Sequence, residues 1–178
     1  QAPGVVVPVP AAPGQVVVQL QPIADGYANA GAPSKVFGSD SSLASRGAPG
    51  SLSYLRFAVP AAPAGKTLKS AELRIRATSA EVASSTDRHI VKVASNSWTE
   101  RGLTWKNRPL VNGAALGTFT GTPSGTAITA KLDLAGARTL PGGERTIAIG
   151  STGKDGLFFW SRNYAGASSR PQLVLRYG

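Results

Sequence analysis

The sequence predicts an all-β domain built as an antiparallel sandwich, and three features carry that expectation. Apolar residues recur with a period of two over several stretches, the alternation that puts successive side chains on opposite faces of a strand. Clusters of Gly, Pro, Ser and Asn separate those stretches at the short spacing of β-turns. No stretch keeps a helical period for three turns, so neither a helical bundle nor a parallel βαβ sheet fits. A closed barrel is the second architecture these features allow.

Taken in chain order, residues 1–14 alternate Pro, Val and Ala and read as an extended linker. Val5 to Val7 could add an edge strand there, where proline is tolerated. The folded domain is expected from Gln15 to Gly178. In Ser53 to Val59, residues Leu55, Phe57 and Val59 face one way and Tyr54 and Arg56 the other. In the next run Ala71, Leu73, Ile75 and Ala77 turn inward while Glu72, Arg74 and Arg76 turn outward. Similar runs predict strands at 89–94, 126–134, 145–150, 157–161 and 172–177. Only Leu134 to Leu140 offers a short helix.

Composition removes several chemistries. The 178 residues fit one domain with enough interior to need no covalent staple. With no Cys there is no disulfide, thiolate zinc site or cysteine nucleophile, and any hydrolytic triad must use the single histidine, His89. The uncharged stretch 1–24 is broken by Pro3, Pro8, Pro10, Pro13 and Pro22, so it predicts no membrane span. Gln1 reads as a processed or trimmed start, which makes a secreted or cell-surface location the expectation. Lys and Arg number 19 against 9 Asp and Glu, a net charge of +10 whose field attracts polyanions. Nucleic acid is disfavoured, because no aromatic RNA-binding motif or recognition helix accompanies the charge.

Several segments, in order, carry a resemblance. They are Ala24-Asp25-Gly26-Tyr27 with Pro33 and Phe37 to Leu43, then Ser53-Tyr54-Leu55-Arg56-Phe57, then Ser70 to Ile75. The most specific is Asn96-Ser97-Trp98-Thr99-Glu100-Arg101-Gly102-Leu103-Thr104-Trp105-Lys106-Asn107-Arg108-Pro109, followed by Ser161-Arg162 and the closing Arg170 to Tyr177. From about Gln19 to Gly178 the chain resembles the DNRLRE family of bacterial and archaeal extracellular domains, which includes carbohydrate-binding module family 96. It departs from the family pattern at Val36-Phe37-Gly38, at Lys106-Asn107-Arg108-Pro109 and at Asn163. The resemblance implies a β-jelly-roll module, appended to secreted polysaccharide-degrading enzymes or to surface proteins, with some members binding alginate.

Candidate functional residues divide by role. Trp98, Trp105 and Arg108 are expected to be structural, with buried indoles wrapping a sheet edge and Arg108 bonding turn carbonyls. Asp25, Asp87 and Asp155 read as turn-bonding carboxylates. A structural calcium at Asp25 lacks the neighbouring acids that would support it, and no cofactor is expected. His89, opening an apolar strand, reads as a satisfied structural histidine. Ligand contacts are assigned to two polar loops, one from Tyr27 to Arg46 carrying Tyr27, Asn29, Lys35 and Arg46, the other carrying Arg162, Asn163, Tyr164 and Arg170. The loops converge if the first and last strands are neighbours. The function read from these residues is a non-catalytic carbohydrate-binding module for an acidic polysaccharide such as alginate, its carboxylates gripped by Arg and Lys and a pyranose face covered by Tyr. Catalytic or surface-protein domains in a parent chain are the expected partners. A structural or adhesive surface domain is the alternative, and a polysaccharide lyase using Arg162, Asn163 and Tyr164 comes third.

Overall fold

Eleven strands make up the architecture of the computed structural model, which describes residues 12–178 except 112 and 121. The expected linker up to residue 11, with its Val5 to Val7 strand, lies outside the described residues. The strands are β1 (Val16–Leu20), β2 (Ala24–Asn29), β3 (Ser42–Ser45), β4 (Ser51–Val59), β5 (Leu68–Arg76) and β6 (His89–Ala94). They continue with β7 (Gly117–Phe119), β8 (Ala127–Leu132), β9 (Gly143–Ser151), β10 (Leu157–Trp160) and β11 (Gln172–Tyr177). One helical turn, α1 (Leu134–Ala137), is capped by Asp133, whose carboxylate accepts the Gly136 N–H at 2.8 Å.

Nine strands form one antiparallel sheet in the order β1-β11-β5-β8-β7-β6-β9-β4-β2, and β3 pairs with β10 in a separate ribbon. The large sheet curls so that its two halves face each other as a β-sandwich, the architecture expected from the sequence. The fold-over comes at β7, which meets β8 through a single pair, Gly117 with Leu132. A Cβ at Gly117 would lie 2.6 Å from the Lys131 carbonyl oxygen, so the corner admits only glycine. The first and last strands are neighbours, with Val16 opposite Tyr177 and Leu20 opposite Leu173.

The predicted alternation sets the core. Leu55, Phe57 and Val59 from β4 meet Ala71, Leu73 and Ile75 from β5, together with Ile147, Ile149, Leu173 and Leu175. Tyr54 points to the other face, yet it is fully buried, because the segment 95–111 crosses the back of β4 and β9. The Tyr54 hydroxyl donates to the Pro109 carbonyl at 2.8 Å, and Trp98 donates its indole N–H to Thr146 Oγ1 at 3.0 Å. Burial raises the Tyr54 phenol to about 12. Trp105 corrects the sequence reading: it is half-buried, with Arg108 stacked 3.5 Å over its ring and its edge against Gly50. Arg108 does bond a turn carbonyl, that of Trp105.

Candidate functional site

The expected loop from Tyr27 to Arg46 is three things. Tyr27 and Asn29 stand on β2, residues 30–41 form the loop proper, and 42–45 are β3. Asp25, expected in a turn, is likewise on β2 and wholly buried. The two polar loops do converge, around Gly38 to Asp40: Ser161 Oγ donates to the Asp40 carbonyl at 2.7 Å and Asn163 Nδ2 to the Gly38 carbonyl at 2.9 Å.

Convergence engages most side chains of the second loop in its own structure. The Arg162 backbone N–H donates to Asp25 Oδ2 at 2.7 Å, and its guanidinium pairs with Glu100 at 3.0 Å. Tyr164 stacks on Trp160 with ring centroids 3.7 Å apart, so one face of its ring is taken. Arg170 donates its Nε–H to the Tyr164 carbonyl at 2.8 Å. Burial, with Glu100 nearby, pushes the Asp25 carboxyl up to about 7 against the opposing Arg162 contacts. Among the described residues no group of three or more His, Cys, Asp or Glu side chains gathers to hold a metal ion.

Tyr27, Asn29 and Arg46, from the first loop, line one groove of about 480 Å³. Its floor is the ribbon: Ala44 and Ser45 from β3, Leu157 and Phe158 from β10. Its walls are β2, the turn carrying Pro49, the turn carrying Lys154, and Val82 on the 3-10 turn Glu81–Ala83. Tyr27 is braced from behind by Phe37, with ring centroids 4.3 Å apart, and the Lys35 ammonium lies 4.8 Å from the Phe37 centroid. Burial and Asp40 raise the Tyr27 phenol to about 12, so the ring enters the groove as an uncharged hydroxyl donor.

Two cationic residues of the groove are in contact. Arg46 donates its Nε–H to the Lys154 carbonyl at 2.6 Å, which fixes the stem and leaves the terminal guanidinium nitrogens for another acceptor. The Lys154 turn is held from both sides. Gly47 N–H donates to the Gly153 carbonyl at 2.7 Å, and Asp155 N–H donates to Asp87 Oδ2 at 2.6 Å. The Asp155 carboxylate accepts the Thr86 N–H and hydroxyl, bonds that hold it below the usual carboxylate range. It is thereby a brace for the wall as well as a neighbour of Arg46.

Below the floor, His89 is wholly buried, with Ser45 Oγ 2.8 Å from Nδ1 and Ser85 Oγ 2.9 Å from Nε2. Ser85 gives its hydroxyl proton to the Asp155 carbonyl, so it accepts from His89 Nε2–H, and Nδ1 must accept from Ser45. Desolvation keeps this imidazole neutral by lowering its pKa. The result is a continuous tie from the groove floor to the Lys154 wall.

Sequence reasoning missed Lys154, Phe158 and Val82. The signal for Phe158 was present, since alternation within Leu157-Phe158-Phe159-Trp160 turns Phe158 and Trp160 outward if Leu157 and Phe159 are core. Lys154 and Val82 sit on turns, where no periodicity marks direction.

A search of curated proteins gives no match to the chain. The model of carbohydrate-binding module family 96 matches residues 16–177, from the first residue of β1 to the last of β11. A match across the whole described sandwich settles the assignment: the chain belongs to carbohydrate-binding module family 96.

Proposed function

We propose that this module binds an acidic polysaccharide of the alginate-like polyuronate type in the groove over β3 and β10, as a non-catalytic domain of a secreted or surface-attached protein. The observation that carries the reading is the meeting of Arg46 and Lys154 with Tyr27 and Phe158 in one groove. A uronate residue presents a carboxylate and an apolar pyranose face only a few ångströms apart. A guanidinium takes the first as a fork and an aromatic ring covers the second. The network through Arg46, Asp155 and His89 holds these groups in place before the ligand arrives, so little ordering entropy is spent on binding. The lyase alternative is the less favoured reading, since Arg162 is paired to Glu100, Tyr164 is stacked on Trp160 and His89 is buried beneath Ser45.

Affinity electrophoresis in gels containing alginate, pectate or a neutral glucan tests the reading. Retardation is expected in the polyuronate gels alone. The double variant Arg46→Gln/Lys154→Gln should bind roughly tenfold more weakly or worse, while Arg74→Gln/Arg76→Gln, which removes the same charge from the outer face of β5, changes affinity by less than about threefold. Equal losses would mean attraction by net charge alone. Absence of any retardation at low salt would favour a structural or adhesive surface domain.

A further inference from the structure

The groove has a second character that a carboxylate does not use. Val82 is 75 % exposed and Phe158 36 % exposed, and both line the same groove as Arg46 and Lys154. The Val82 turn is anchored by the fully buried Ala83 and packs against β10, so the valine is held at the groove wall and does not fold into the core. We infer that the groove is shaped for a polyuronate carrying an O-acyl group, with the acyl methyl against Val82 and Phe158 and the free carboxylate on Arg46 and Lys154.

This rests on the acidic-polysaccharide reading of the groove and narrows its ligand. Two chemical routes make a uronate more apolar: esterification of its carboxyl and acylation of its hydroxyls. The first removes the charge that Arg46 and Lys154 would meet, and the second keeps it. A groove with fixed cations and an adjacent exposed valine therefore suits the second. An ester also brings a carbonyl oxygen that needs a donor. Asn29 has its Oδ1 bonded by the Gly31 N–H at 2.8 Å, so its amide NH₂ is the end left to serve that carbonyl.

The test is isothermal titration calorimetry with one polyuronate preparation in two forms, O-acetylated and de-acetylated by mild alkali, alongside a methyl-esterified polyuronate. Covering one methyl group predicts about threefold to tenfold tighter binding of the acetylated form. The methyl-esterified chain should bind more weakly than either. Val82→Ser, at an exposed position, should keep the melting temperature while losing the acetyl preference, and Val82→Leu should retain it. Equal or weaker binding of the acetylated chain overturns the inference, as does a preference that survives Val82→Ser. In both cases binding of the de-acetylated chain leaves the polyuronate reading standing. If neither form binds, both readings fall together.

Discussion

Asp25 is a carboxyl wholly buried in a strand, with one oxygen taken by the Arg162 N–H and the other, Oδ1, without a hydrogen-bond partner. Its own N–H donates to Glu100 Oε1 at 3.0 Å, so it faces a like charge in Glu100 as well as the Arg162 guanidinium. Desolvation wins, and the carboxyl rises from 3.8 to about 7. A group whose folded pKa is raised contributes stability that is full below its unfolded value and is lost as pH rises through the folded one. Here that window runs from about pH 4 to about pH 7. Asp25→Asn, which keeps the acceptor for Arg162 and cannot ionise, should melt close to the parent at pH 4 and several degrees above it at pH 8, a gap of roughly 2–4 kcal/mol. Melting curves across pH check it, and parallel profiles for the two proteins would show that the Asp25 carboxyl titrates alike in the folded and unfolded states. The sequence gives no sign of this burial, because Glu100 and Arg162 arrive from 75 and 137 positions away.

At the scale of elements, legibility followed strand length and patterning. The runs at β4, β5, β6, β8 and β11 alternate over six to nine residues, and each was readable because one face had to be apolar, whereas β9 is buried on both faces from Thr146 to Ile149. β2 contains Asp25 and Gly26, residues that disfavour strands, and it exists because it pairs along its length with β4. β3 and β7, of four and three residues, are too short to show a period. The candidate groove was half legible for the same reason: β2 and Arg46 belong to one polar segment, whereas Lys154 and Phe158 join it only through the β3–β10 pairing. The segment 95–111 was legible as structural, though the covering of Tyr54 depends on a contact no local pattern reports. That contact is close at Gly38, where a Cβ would fall 1.8 Å from the Glu100 carbonyl oxygen. Gly38→Ala must therefore push the 99–102 turn off the sheet and pull Glu100 from Arg162. A loss of about 3 kcal/mol, or roughly 6–12 °C in melting temperature for a domain of this size, is expected by calorimetry. An unchanged melting temperature would show that the segment is free to move.

For the whole molecule, the net charge of +10 sets long-range attraction, while fixed partners decide where it can be specific. Four arginines, Arg56, Arg74, Arg162 and Arg176, are committed to acidic neighbours, so the excess positive charge lies with other cations, Arg46 and Lys154 of the groove among them. The antiparallel pairing of β1 with β11 has a mechanical meaning. Val16 and Tyr177 are opposite each other, so the chain enters and leaves the sandwich at one point. Tension applied through both ends loads the β1–β11 hydrogen bonds one pair at a time, as a zip opens, and never all five pairs in parallel as in a sheared joint. Pulled in tandem with a shear-loaded reference domain, this domain should yield first and at lower force. Force spectroscopy showing the reverse order would place its mechanical resistance elsewhere. Tension carried through the two ends is met first at this one edge pair, and it reaches the ribbon of β3 and β10 beneath the groove only after β1 has peeled from β11.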